Sequence, residues 1–471
     1  MVFSSLVFLY LFLPLCLLLY FVCGTVRAKN MVLLVFSLIF YAWGEPVYIF
    51  LMLATAAVNW GLTLLMAKMP ERKKLLLILC VCIDLGCMGV FKYAGFAVES
   101  INALAGTAIP VPAIALPIGI SFYTFQALSY VIDVYRGSVG AQPRFSRFLL
   151  YLSLFPQLIA GPIVRYIDVE KEIESREENV QEIFWGVHRF CLGLAKKVLL
   201  ADYCGKAAST LLGGSFAAST TLGIWLGVLL YTFEIYFDFS GYSDMAIGMG
   251  RMFGFHYSEN FNYPYISLSI TEFWRRWHIS LSSFFRDYVY IPLGGNRRMV
   301  WRNLLIVWLL TGLWHGASWN FVLWGLYFFV ILAVERLLGR RVTVLPHFVR
   351  RILTAFFILI GWTVFYFTDL SRLLGAFGVM FGAAGSGFSN EQTLITLLNN
   401  LPLLILCVIG STPLLRNVGN ALCAASLRDG IEKKLQTGFL IAVFVLDAAL
   451  LLLSTVSLVG SGYNAFLYLR F

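Results

Sequence analysis

The sequence predicts an all-α polytopic membrane protein, and three observations carry that prediction. Of its 471 residues, 60% are hydrophobic and 13% charged, with a mean hydropathy of +0.81, a composition foreign to soluble domains of this length. The apolar residues fall into long blocks divided by short polar connections. The basic residues gather in alternate connections. With roughly 20 apolar residues needed per crossing, candidate spans lie near 2–22, 31–44, 47–66, 75–91, 117–135, 183–203, 220–246, 303–313, 318–336, 352–368, 394–410 and 437–458. About eleven to thirteen membrane segments are expected. The stretches 31–44, 148–163 and 303–313 are short enough for half-helices or re-entrant pieces, which need protein or a watery cavity around their backbone.

The first apolar run lacks a basic leader and ends in Cys23-Gly24-Thr25 with no small-x-small site, so it is expected to remain as a span. The net charge of +10 sits in short loops, where it orients a membrane protein; nucleic acid is not an expected partner, and contact with membrane lipids is. Loops with Arg27 and Lys29, with Lys68, Arg72, Lys73 and Lys74, with Arg136, Arg144 and Arg147, and then 336–351 and 416–434 should be cytoplasmic. The N-terminus and a C-terminal tail, 459–471, then lie outside. Nine cysteines without a paired C-x-x-C suggest neither zinc nor a disulfide framework.

Tyr41 to Pro46 breaks an apolar run at Gly44 and Pro46, as an interfacial turn would. The span following Pro117 carries Ser121, Thr124, Gln126 and Asp133, which either bond to neighbouring helices or line a substrate path. Phe155 to Arg165 is broken by Pro156 and Pro162 and fits a re-entrant loop; Asp168 to Glu182 reads as a solvated surface helix. Glu234, Asp238 and Asp244 lie inside one aromatic, glycine-rich span, and carboxylates at that depth need partners or a function. Arg251, Arg275 and Arg276 are the candidate cations. Either these groups form buried ion pairs that fix helix register, or they line a reaction chamber. No metal site is expected, since no histidine stands at ligand spacing from them.

The densest stretch is 271–325. It contains Phe273-Trp274-Arg275-Arg276-Trp277-His278 and Trp314-His315-Gly316, with two of the five histidines of the chain. His315 stands between two apolar segments, deep in the membrane, where an ionisable group needs a reason. The arginines at 275, 276, 286, 297, 298 and 302 either grip lipid headgroups or bind a phosphorylated donor.

Taken together, Met1 to Ser5, Pro117 to Gln126, Phe155 to Arg165, Tyr236 to Tyr265, Phe273 to Arg298 and Trp314 to Gly316 resemble the membrane-bound O-acyltransferases (MBOAT), in the bacterial branch that includes the membrane subunit of alginate O-acetylation. The resemblance spans nearly the whole chain, so residues 1–471 are expected to form one membrane domain. It implies a ring of transmembrane helices around a thin partition pierced by a tunnel. His315 matches the family's catalytic position, and His278 matches a second position that holds His or Asn in many members. Moving an acyl group from a thioester to a hydroxyl requires a base for the hydroxyl proton, and neutral imidazole suits that task near pH 7. His278, a Trp or Tyr donor, or Ser318 could polarise the thioester carbonyl. Asp238, Arg275, Arg276, Trp314 and Ser318 are candidates for lining the tunnel or binding the donor. The plain alternative for either histidine is a core residue bonded to a helix carbonyl.

The tail, Gly462 to Phe471, is similar to an F-x-Y-x-x-F element that accompanies relatives of this family on a separate small partner. Tyr468 is therefore an acyl-carrier candidate, against the alternative of an interfacial aromatic belt. The expected function is transfer of an acyl group, most readily acetyl, from cytoplasmic acetyl-CoA or another acyl thioester across the bacterial cytoplasmic membrane. An extracytoplasmic transferase partner would complete O-acetylation of a cell-surface or secreted polysaccharide, and no bound cofactor is expected. D-alanyl transfer to teichoic acid is the neighbouring possibility. A transporter or flippase is another, but it predicts an internal repeat that the sequence lacks.

Overall fold

The computed structural model describes residues 1–159, 161–426, 432–460 and 466–467, and among these every regular element is helical. The helices are α1 (Leu13–Val22, continuing a π-turn from Phe8), α2 (Val26–Gly44), α3 (Ile49–Lys68), α4 (Lys73–Ala105), α5 (Ile120–Arg136), α6 (Phe145–Ser153), α7 (Phe155–Leu158), α8 (Tyr166–Glu174), α9 (Val180–Ala195) and α10 (Asp202–Leu212). They continue with α11 (Thr221–Met252), α12 (Ile270–Arg276), α13 (Ile279–Phe285), α14 (Val300–His315), α15 (Trp319–Leu338), α16 (His347–Tyr366), α17 (Leu370–Met380), α18 (Glu391–Gly410), α19 (Leu414–Ser426) and α20 (Glu432–Gly460). Eight of the described helices are long and apolar enough to cross a membrane. A helical build is what lipid demands, because each backbone group finds its partner within its own segment.

Segment 31–44 is not a half-helix. Thr25 caps α2 by accepting the Ala28 N–H, so the helix begins at Val26 and takes Arg27 and Lys29 into its first turn, making a 19-residue span. Lys29 is held by Glu178 at 2.8 Å. The 148–163 stretch is short and interrupted as expected: α6 and α7 are both buried and meet at Leu154. The surface helix expected from Asp168 to Glu182 is instead α8, with Tyr166, Val169 and Ile173 turned inward, and a loop before α9.

The core is organised around α11, buried along most of its length. Helix α9 lies against it through two glycine pairs. A β-carbon on Gly186 would stand 2.7 Å from the Gly248 carbonyl, and one on Gly193 2.6 Å from that of Gly241, so only glycine permits this approach. The close contact brings charges together. Asp238 pairs with Lys197 at 2.5 Å, and Asp244 pairs with Lys196 at 2.6 Å and Arg189 at 2.9 Å. These partners correct the expectation of Arg251, Arg275 or Arg276: the cations come from α9, which packs along α11, and from the π-turn 196–201 that continues it. Interhelical bonding also holds in α5, where Ser121 accepts from Lys92 and Asp133 from the Tyr288 hydroxyl.

Helix α20 is joined to α9 by His188 and Asp447 at 2.8 Å. It extends to Gly460, two residues into the stretch 459–471. Beyond it, Phe466 is buried edge-on to Tyr242 with its ring 4.7 Å from the Lys197 ammonium, and the Leu467 N–H donates to Asp238 at 2.9 Å. Tyr468 lies outside the described residues.

Candidate active site

His315 is the last residue of α14, and Gly316 leaves that helix in an extended conformation before Ser318 opens α15. The two helices form a hairpin whose arms touch backbone to backbone. A β-carbon on Gly312 would stand 2.2 Å from the Phe321 carbonyl oxygen and one on Gly325 2.4 Å from that of Trp308. This packing ends α14 inside the protein and holds the His315 ring edge-on to Trp324 at 5.1 Å and Phe365 at 5.2 Å. The expected short segment 303–313 is this helix, which at 16 residues is too short to cross alone.

His278 is placed by a different device. It has φ 44° and ψ 57°, the left-handed region, between α12 and α13. That conformation costs a residue with a β-carbon about 1–2 kcal/mol, and the flanking backbone holds it: the Asn262 N–H donates to the Arg276 carbonyl at 2.9 Å and the Ile279 N–H to that of Asn260 at 3.0 Å. Ser269 and Glu272 cap α12, and Glu335 from α15 accepts the N–H groups of Ile270 and Thr271. The His278 Nδ1 lies 3.1 Å from Asn260 Oδ1, which also accepts the Ser280 N–H and hydroxyl. An oxygen that receives those donors is an acceptor, so Nδ1 carries the proton and the neutral ring presents a lone pair at Nε2.

Both histidines line one cavity of about 510 Å³. Leu304, Val307, Trp308, Thr311 and His315 form a single stripe of α14 along its wall, a run of about 16 Å at 1.5 Å per residue. Arg336 and Glu335 from the last turn of α15, Arg350 from the first turn of α16, and Arg275 from α12 line it as well. The cavity thus combines three arginines and one carboxylate, an aromatic wall and two imidazoles. Trp274 also lines it, and the Trp274 indole N–H is buried with no acceptor among the described residues, an arrangement that a bound carbonyl would relieve.

The structure brings together His315, His278 and Arg275 among the residues singled out by sequence. The others lie elsewhere. Arg276 is engaged by Glu272 at 2.8 Å and by the Asn262 carbonyl. Asp238 is in the α9–α11 ion pair and is not a lining residue. Ser318 ends the α14–α15 turn outside the lining. Trp314 turns away from this cavity and lines a separate apolar one of about 320 Å³ beside Phe125 and Leu313. Sequence reasoning missed Asn260, Trp274, Arg336 and Arg350 as site residues. Asn260 stands in a loop 18 positions before His278, and no sequence period relates the two. Among the described residues no cluster of His, Cys, Asp and Glu suited to a metal ion occurs.

Residues 11–374 match the family model described as MBOAT, membrane-bound O-acyltransferase family. The chain belongs to that family. It is 44% identical over 396 residues to the "Probable alginate O-acetylase AlgI" of Azotobacter vinelandii, covering 81% of this chain and 78% of that protein. It is 34% identical over 429 residues to the "Peptidoglycan O-acetyltransferase" of Helicobacter pylori, covering 82% and 80%. The "Teichoic acid D-alanyltransferase" of Bacillus subtilis is 32% identical over 231 residues, 46% of this chain and 58% of that one. The protein is an O-acyltransferase with a multi-pass membrane domain.

Proposed function

We propose that this enzyme takes acetyl from a thioester donor that enters at Arg275, Arg336 and Arg350, and passes it to a hydroxyl in the service of polysaccharide O-acetylation. The observation that carries this reading is that Arg275, Arg336 and Arg350 line the same cavity as His315 and His278. Arginines suit a phosphorylated donor such as acetyl-CoA, and the long apolar wall suits its uncharged arm. His315 acts as the base. As the acceptor oxygen attacks the thioester carbon, a ring nitrogen takes the hydroxyl proton; the tetrahedral intermediate collapses, the carbon–sulfur bond breaks, and the proton passes to the departing thiolate sulfur. His278, with its Nδ1–H given to Asn260, supports the chemistry through Nε2, and the Trp274 N–H is the candidate donor to the developing oxyanion.

Similarity to proteins named for alginate and peptidoglycan O-acetylation supports acetyl as the group moved and a polysaccharide as its destination. The D-alanyltransferase likeness covers less than half of the chain and favours that alternative less. With the basic loops facing the cytoplasm of a bacterial cell, donor enters from inside and an extracytoplasmic transferase receives the acetyl group. Burial of Phe466 and the bond from the Leu467 N–H to Asp238 support a tail that reaches into the bundle over one lying at the membrane surface, and keep Tyr468 as the candidate carrier.

The test is release of thiol and transfer of label from acetyl-CoA in proteoliposomes. Loss of at least 10²-fold in His315→Ala is expected for removal of a general base; undiminished turnover in that variant would overturn the assignment.

A further inference from the structure

Helix α14 stops in the middle of the protein. Its last four carbonyls have no partner of their own along the helix, as at any helix end, and Gly316 is extended and does not fold back to cover them. Two consecutive residues of α4 supply donors. The Tyr93 hydroxyl donates to the Leu313 carbonyl at 2.8 Å, and the Lys92 ammonium donates to the Trp314 carbonyl. Lys92 also donates to Ser121 Oγ at 3.3 Å and lies 5.9 Å from the centre of the Trp314 ring. It is buried, and no carboxylate among the described residues pairs with it. A buried ammonium is expensive. The feature that favours it here is the negative end of the α14 dipole, the turn that carries His315.

We propose that Lys92, assisted by Tyr93, is a positioning residue for the catalytic base. The turn bearing His315 is flanked by Gly312 and Gly316, whose missing β-carbons let α15 come close but leave little side-chain mass to fix the turn's rotation. Donors from α4 clamp two of its carbonyls while α15 packs against its glycines, so the imidazole is held between two fixed elements. Neither residue touches substrate. Lys92 reaches the catalytic base through the backbone of Trp314.

The inference rests on the role given to His315, and the experiment separates the two. Protein with ¹⁵N-labelled histidine is prepared in lipid nanodiscs as wild type, Lys92→Met, Lys92→Arg and Tyr93→Phe. The His315 ring signals are assigned by their loss in His315→Gln, and acetyl transfer is measured on the same samples. In Lys92→Met the His315 signals should shift or broaden while those of His188 and His256 stay in place. Turnover should fall by on the order of tenfold or more, as for a displaced catalytic group, with the KM for donor changed less than about twofold because the cavity's arginines are untouched. Lys92→Arg should recover part of both. Unchanged His315 signals with full turnover in Lys92→Met would overturn the proposal. If Lys92→Met does not assemble, Tyr93→Phe decides by the same criteria, since it removes one hydroxyl and keeps the ring. Signals that move as described in a protein whose transfer does not need His315 would sustain the positioning role and reject the base.

Discussion

The residue that decides how His278 works is Asn260, 18 positions earlier in the chain. Its amide oxygen gathers the Ser280 N–H, the Ser280 hydroxyl and the imidazole Nδ1–H, and this fixes one tautomer out of two. In Asn260→Leu the ring loses its partner and its proton is free to sit on either nitrogen. Turnover of acetyl-CoA in proteoliposomes should then fall on the order of 10²-fold with donor KM nearly constant, while Asn260→Asp, which keeps an acceptor, should retain most of the rate. Equal losses in both variants would place the effect in folding. His315 and His278 were visible in the sequence because an ionisable ring in an apolar segment is rare. Asn260 and Lys92 were not. The first acts through a contact that no helical period relates to its target, and the second ends an apolar run and looks like a basic residue at a membrane surface.

Among the elements, the α14–α15 hairpin has the least freedom to vary. Its glycines face backbone atoms of the opposite arm, which cannot move aside as a side-chain tip can. Gly312→Val should therefore part the arms and lower the yield of folded, monodisperse protein, with transfer lost in what remains. Gly61→Ala in α3 provides the contrast. No atom stands within 4 Å of the added carbon, and a helical Gly→Ala change should alter stability by no more than about 1 kcal/mol. A chromatographic profile in detergent and a thermal unfolding midpoint distinguish these outcomes. Most spans could be located from their apolar runs, yet the ends of α2 and the extent of α4 could not, since charges admitted into the first turns of a helix look like loop residues. The glycines at 186 and 193, and at 241 and 248, do share a seven-residue spacing that foreshadows the α9–α11 contact.

Across the whole molecule, buried charges tie the middle of the chain to its end. Lys197, in the π-turn that follows α9, pairs with Asp238 in α11 and with Asp202 at 2.9 Å, and the same Asp238 receives the backbone of Leu467. Removing one partner of a buried pair leaves a charge uncompensated, at about 3–5 kcal/mol. Lys197→Met should therefore lower the unfolding midpoint markedly, and Lys197→Met combined with Asp238→Asn should recover much of the loss. A double variant as unstable as the single one would mean that packing around Lys197, and not its charge, matters. The carboxylates of α11 announced themselves by depth, but their partners are set by long-range helix packing, which local spacing does not encode. The cavity shares this property: its histidines come from α14 and the α12–α13 turn, while its arginines Arg336 and Arg350 belong to α15 and α16. The most direct measurement is a cryo-electron microscopy structure with a thioether analogue of acetyl-CoA that cannot be cleaved. Density is expected to run from Arg275, Arg336 and Arg350 along the α14 stripe, with the ketone carbon within about 3.5 Å of the His315 ring. Analogue bound elsewhere, with this cavity empty at saturation, would contradict the donor path and the role of His315 together.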